Sequence, residues 1–226
     1  MPIDSQSYTS YDIFEPLDLV EKLQALESVA LNGITDHHAE ADPVPRSSAK
    51  YSRISIQHSC LSPNGLCGAI ESATRLEELV YSIGGRDSPD GLHSMVDLYA
   101  YLTSLLMHKD SIERLDLSVD ANLSFKELLK AAGEDSVLAS PVECTLKLFD
   151  KLKHLALGAH TLYYYTPETN KDQAEIPSIA DGLPLNLESL RIYGYRKGNS
   201  SMARWELPHL DLDTHVSRFM EERESI

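Results

Sequence analysis

The chain has 226 residues, of which 42% are hydrophobic, enough for a continuous core and too many for wholesale disorder. Its 35 acidic and 20 basic residues leave a formal charge of -15, which repels a phosphate backbone over most of the surface and argues against nucleic acid as a partner. The first twenty residues lack both parts of a secretory signal, and no run approaches the roughly 18 apolar residues of a membrane span. The expectation is therefore an intracellular protein, cytoplasmic or nuclear, without membrane contact.

Glu15-Pro16 ahead of Leu17, Val20 and Leu23 predicts an opening helix. From Leu26 the phrase L-x-x-L-x-L begins: Leu26-Glu-Ser-Val29-Ala-Leu31, Tyr51-Ser-Arg-Ile54-Ser-Ile56, Leu76-Glu-Glu-Leu79-Val-Tyr81, Ile112-Glu-Arg-Leu115-Asp-Leu117, Leu152-Lys-His-Leu155-Ala-Leu157 and Leu187-Glu-Ser-Leu190-Arg-Ile192. The spacings are 25, 25, 36, 40 and 35 residues. Such a period marks a solenoid, because one repeat cannot bury its own apolar face and must stack on its neighbours. Strands are expected at 28–31, 53–56, 79–82, 114–118, 154–157 and 189–193, paired in parallel in chain order. The whole chain, 1–226, reads as a single domain: an N-terminal cap over 1–25, six irregular repeats over 26–195 and a C-terminal cap over 196–226.

The segments between the copies carry helix signals. Ser88-Pro89, followed by Leu92, Met95, Val96, Tyr99, Leu102, Leu105 and Leu106 at helical spacing, predicts a helix over 89–108. Ser124-Phe-Lys-Glu127 and Ser140-Pro-Val-Glu143 are capping boxes that predict two short helices, and 215–224 reads as a closing helix. The stretches 36–50 and 166–184 look irregular, with Pro, Asp and Ser but no sustained period.

The phrase, with its strand-then-helix spacing, resembles the leucine-rich repeat. Its irregular 35 to 40 residue versions, best seen at Leu183-Pro-Leu-Asn-Leu187-Glu-Ser-Leu190-Arg-Ile192-Tyr-Gly, resemble the divergent repeats of fungal leucine-rich-repeat and F-box-associated proteins. The resemblance implies an α/β solenoid with about six parallel strands on a concave face and helical connectors on the convex side. Regular repeats of this kind place Asn or Cys at the ninth position to satisfy the turn after the strand. Here that position holds Ile34, Ser59, Gly84, Asp120, His160 and Tyr195, so no asparagine ladder is expected and the turns should be irregular. Relatives with an F-box carry it upstream of the repeats, and only about 15 residues stand there, so an adaptor-binding F-box is not expected.

Catalytic and metal chemistry find little to stand on. Asp36-His37-His38-Ala-Glu40-Ala-Asp42 crowds potential ligands together, but adjacent histidines diverge on any regular backbone, and the segment reads as a polar loop. Cys60, Cys67 and Cys144 are an odd number without a C-x-x-C pair, which predicts reduced thiols, with one or both of Cys60 and Cys67, on either side of Pro63-Asn64-Gly65, as small buried residues rather than ligands. No phosphate loop, nucleophile elbow or H-E-x-x-H occurs. His154 falls on an expected strand without an identifiable nucleophile as its partner. No cofactor, metal or catalytic residue is assigned, and the expectation is a monomer that is not an enzyme.

What remains is surface. Alternation along the strands places three columns on the concave face. They are Ser28, Arg53, Glu78, Arg114, His154 and Ser189; Ala30, Ser55, Val80, Asp116, Ala156 and Arg191; and Asn32, Gln57, Ser82, Ser118, Gly158 and Tyr193. Arg53, Glu78 and Arg114 should pair across neighbouring strands. Arg191, Arg196, Lys197 and Arg204, with Tyr193, Tyr195 and Trp205, form a basic and aromatic neighbourhood in an acidic chain, a composition enriched at binding hot spots. The expected protein-binding residues are thus Arg53, Glu78, Arg114, Asp116, His154, Arg191, Tyr193, Arg196 and Lys197. The expected function is a non-catalytic interaction module for a protein partner. The alternative is the substrate-recognition part of an F-box-type ubiquitin ligase receptor lacking its adaptor-binding segment.

Overall fold

A computed structural model describes residues 13–23, 25–36, 45–84, 96–120, 146–165 and 182–193, together with Ser217. All six expected strands are present: β1 (Ser28–Asn32), β2 (Arg53–Ser59), β3 (Glu78–Ile83), β4 (Arg114–Ser118), β5 (His154–Gly158) and β6 (Ser189–Tyr193). They form one parallel sheet in chain order. The fold is α/β, with the connecting helices packed into one core against a single face of the sheet.

The six copies are equivalent down to their hydrogen bonds. The carbonyl of the second residue in each copy accepts from two successive N–H groups of the next: Glu27 from Ser52 and Arg53, Ser52 from Glu77 and Glu78, Glu77 from Glu113 and Arg114, Glu113 from Lys153 and His154, and Lys153 from Glu188 and Ser189. Five repetitions of one geometry fix the register at the start of every strand. The alternating apolar residues follow from it: Val29, Ile54, Ile56, Leu79, Tyr81, Leu115, Leu117, Leu155 and Leu157 are buried. Leu31, Leu190 and Ile192, expected to be buried, are only partly so. They lie on the first and last strands, each of which has a strand neighbour on one side only among the described residues.

Two copies use tyrosine where the phrase takes an aliphatic residue, and the hydroxyls are spent on the connectors. Tyr51 Oη donates to the carbonyl of Ala69 at 2.7 Å and lies 2.6 Å from Ser72 Oγ. Burial pushes its phenol up to about 12. Tyr81 Oη accepts from the N–H of Leu61.

The helices depart more from expectation. α1 (Phe14–Glu21) opens the described chain, with Leu17 and Val20 buried but Leu23 exposed beyond its end. α2 (Pro63–Ser72) was not expected: Ser62 caps it by accepting from Gly65 N–H, and Pro63 fills its first position. Of the two flanking cysteines, one or both expected to be buried, each is only partly so. α3 (Leu98–Leu106) starts at an Asp97 cap, with Val96 and Asp97 outside the helix; Ser88 to Met95 lie outside the described residues. Its buried face is Leu98, Tyr101, Leu102 and Leu105, whereas Tyr99, expected on the apolar stripe, is exposed. A 3₁₀ turn (Leu146–Leu148) and α4 (Ala159–Tyr164) complete the connectors; α4 too was unexpected. The capping boxes at Ser124 and Ser140 lie outside the described residues, as does the 215–224 helix apart from Ser217.

No asparagine ladder forms among the described residues, yet the turns after the strands are satisfied by other side chains. Ser59, buried at the ninth position, accepts from Ile34 N–H at 3.0 Å and donates to the Gln57 carbonyl at 2.8 Å. Ser82 accepts from His58 N–H at 3.0 Å. Asp36 accepts from Ser62 N–H and from its hydroxyl at the start of α2. Asp120 accepts from Thr161 N–H at 3.2 Å and Thr161 Oγ1 at 2.6 Å at the start of α4. Carboxylates suit this place because a helix N-terminus carries unpaired N–H groups and a partial positive charge.

Candidate functional site: the open face of the sheet

Parallel sheets are ordinarily covered on both faces. Here the helices take one, and on the other the side chains are exposed or half-buried among the described residues, apart from Gly158. The first two expected columns are seen strand by strand. Ser28, Arg53, Glu78, Arg114, His154 and Ser189 are successive Cα partners, as are Ala30, Ser55, Val80, Asp116, Ala156 and Arg191. The third is interrupted. The register shifts between Ile56 and Ser59, with His58 at φ 49, so β2 bulges and Gln57 no longer stands opposite Ser82.

Seven of the nine expected site residues therefore share this face: Arg53, Glu78, Arg114, Asp116, His154, Arg191 and Tyr193. Arg196 and Lys197, with Tyr195, Arg204 and Trp205, lie outside the described residues. The expected alternating pairs form only in part. Arg114 Nε stands 3.5 Å from Glu78 Oε1, but Arg53 Nη2 reaches Glu27 Oε2 at 3.3 Å instead. Glu27 stands on the exposed rim just before β1, one residue ahead of Ser28, the β1 partner of Arg53, so it lies one strand away on the side opposite Glu78.

The densest part of the face spans β4 to β6. The small Ala156 on β5 leaves room above the sheet, and Tyr193 reaches back over that strand to donate to Asp116 Oδ1 at 2.6 Å. Burial, followed by that hydrogen bond and the charge of Asp116, pushes the Tyr193 phenol up to about 12. The guanidinium of Arg191 lies 5.0 Å from the centre of the Tyr193 ring, a cation–π contact. Below them is a shallow hollow of about 230 Å3, with Ala156 at its floor and Arg114, Asp116, His154, Ser189 and Arg191 around it. Sequence reasoning placed these residues on one face but missed the reach of Tyr193 across β5; the signal was the small Ala156 on the intervening strand.

His154 does have a hydroxyl partner, its neighbour in the first expected column: its Nδ1 lies 3.0 Å from Ser189 Oγ, because the two are register partners on β5 and β6. A nucleophile also needs an orienting group on the second nitrogen and donors for the developing oxyanion. Among the described residues no carboxylate is bonded to the other nitrogen, and the N–H groups of His154 and Ser189 are spent on Glu113 and Lys153 carbonyls.

Metal-ligand groupings of three or more His, Cys, Asp or Glu are absent among the described residues. Asp36 serves as a helix cap, while His37 to Asp42 lie outside the described residues. Cys67 has its thiol pushed up by burial. No described helix is long and apolar enough to cross a membrane. No family model matches the chain, and neither a curated protein nor a solved structure matches it.

Proposed function

We propose that the chain is a leucine-rich-repeat-like solenoid acting as a non-catalytic protein-interaction module, with the open sheet face as its concave binding surface. The observation that carries this reading is a parallel sheet of six strands whose second face is left uncovered by the described residues and is mostly polar or small. Such a face has no structural need for arginines. Three of them, Arg53, Arg114 and Arg191, stand in its columns against two carboxylates, Glu78 and Asp116, leaving it one charge positive in a chain of -15. An acidic partner is favoured there and repelled elsewhere, which sets where it docks more than how tightly.

The protein acts as a monomer on this reading, and Arg196 and Lys197 extend the binding end in the sequence beyond β6. Reversing charge at Arg191 and Arg196 together should weaken association with a partner recovered by pull-down while leaving the melting temperature nearly unchanged, with Arg53→Glu as the control at the far end of the sheet. Unaltered binding in the double variant would remove the C-terminal end from the proposal. The substrate-receptor alternative uses the same face; scoring the pull-down for a cullin-type adaptor separates it from a free-standing module.

A further inference from the structure

The hollow over β5 is smaller than the roughly 300–1,000 Å3 of sites that enclose drug-sized ligands, and at about 230 Å3 it suits one side chain. Its donors are only partly spent. Arg114 engages Glu78 through Nε at 3.5 Å, and Arg191 lies over the Tyr193 ring, 5.0 Å from its centre, with no ion pair among the described residues. Stacking leaves the edge of a guanidinium free to hold a carboxylate through two parallel hydrogen bonds. Arg191 and Asp116 are the register partners of Ala156, and Arg114 stands two residues before Asp116 on β4, so the two arginines lie diagonally across the hollow, two strands and two residues or roughly 12 Å apart.

The geometry points to an anchoring subsite for a glutamate or aspartate side chain of an extended, acidic peptide segment, held between Arg114 and Arg191 over Ala156. The inference rests on the interaction-module reading and names the chemistry its partner must present. Asp116 on the same rim decides between anions. With Glu78 already on Arg114, Arg191 is the one cation of the lining without an ion pair among the described residues; a single carboxylate matches it, whereas a phosphate at about -1.5 to -2 would exceed it beside Asp116. Asp116 has Oδ1 on Tyr193.

The test uses the full chain, labelled with 15N, and three capped octapeptides that differ at three positions: glutamate, glutamine or phosphoserine. The glutamate peptide should shift the amides of Ala156, Gly158 and Arg191 and bind at least tenfold more tightly than the glutamine peptide. Ala156→Leu, which fills the hollow without touching a charge, should weaken the glutamate peptide tenfold or more, while Ser55→Leu, in the same column on β2, should not. Should Ala156→Leu fold poorly, Arg191→Gln gives the same reading at lower structural risk. Equal binding of the glutamate and glutamine peptides, binding of the phosphoserine peptide alone, or shifts centred on Arg53 and Ser55 would each overturn the subsite. A partner whose association survives Ala156→Leu but is lost with Arg53→Glu would overturn it too, leaving the interaction-module reading intact. Glutamate-peptide binding at Ala156 with no protein partner recovered would do the reverse.

Discussion

His108 is 5% exposed and holds two backbone groups together: Nδ1 accepts from Leu76 N–H at 3.3 Å, and Nε2 lies 3.0 Å from the carbonyl of Ile70, which requires the proton on Nε2. Burial lowers its pKa below the ordinary 6.5, against the opposing pull of the Ile70 carbonyl and Glu71. The stability it contributes is complete above about pH 6.5 and is lost as pH falls through the folded value, because the unfolded chain takes up the proton first. His108→Gln, which can keep both bonds without titrating, should therefore lose less stability than the parent between about pH 7 and pH 5 in urea titrations. Parallel losses would show that the imidazole does not titrate with unfolding. A second residue-scale test concerns Gly158, where an added Cβ would lie 1.9 Å from Asp120 Cγ. Gly158→Ala should cost about 1–3 kcal/mol by pushing that carboxylate off Thr161. In the Asp120→Ala background it should cost much less, since the clash and the cap involve the same atoms. Additive losses would mean that the glycine serves another purpose.

Strands were legible because a two-residue alternation flanked by a recurring leucine admits one register, and Leu117 at the centre of the sheet, fully buried, shows its consequence. Leu117→Ala should cost about 2–5 kcal/mol if the cavity stays open. Leu190→Ala on β6, only partly buried, should cost distinctly less. Equal losses by denaturant titration would contradict the grading of burial from centre to edge. Connectors were less legible because their signals compete. Ser62-Pro63 is the same start signal as Ser88-Pro89, but Gly65 in the first turn and a short apolar run concealed α2. Gly65 is there for a reason visible only in three dimensions: a Cβ at that position would run into Asp36 Oδ2, and Asp36 is the side chain that holds the capping Ser62. In α3 the stripe drawn through Tyr99 was one position off, since Leu98 and Tyr101 also share the spacing and Asp97 sets the start. The seven described site residues were placed on one face by alternation alone, and the first column already set Ser189 beside His154; the Glu27 partner of Arg53 and the reach of Tyr193 to Asp116 depend on side-chain conformation that no spacing encodes.

At the scale of the whole sheet, each described strand bonds to its neighbours in sequence, and the cross-ties between copies are equally local. Glu71 on α2 illustrates them, receiving Arg46 at 2.8 Å from the copy before and Ser104 at 2.9 Å from the copy after. Stability in such an array is close to a sum of unit and nearest-neighbour contributions, so it should fall toward the strands that have one neighbour instead of two. Native-state hydrogen exchange should then be slowest for the amides of Leu79, Tyr81, Leu115 and Leu117 on β3 and β4. Exchange should be fastest among the strands for β1, whose Leu31 is only partly buried, and for β6, whose Leu190 and Ile192 are likewise. The same gradient bears on binding, because the hollow on β4 to β6 runs from the most protected strands to one of the least. An acidic peptide seated on Arg114 and Arg191 would tie β6 to β4 and should slow exchange at Leu190 and Ile192 more than at Leu115. Uniform protection of all six strands in the free chain would show a single cooperative unit and remove the reason for expecting that effect.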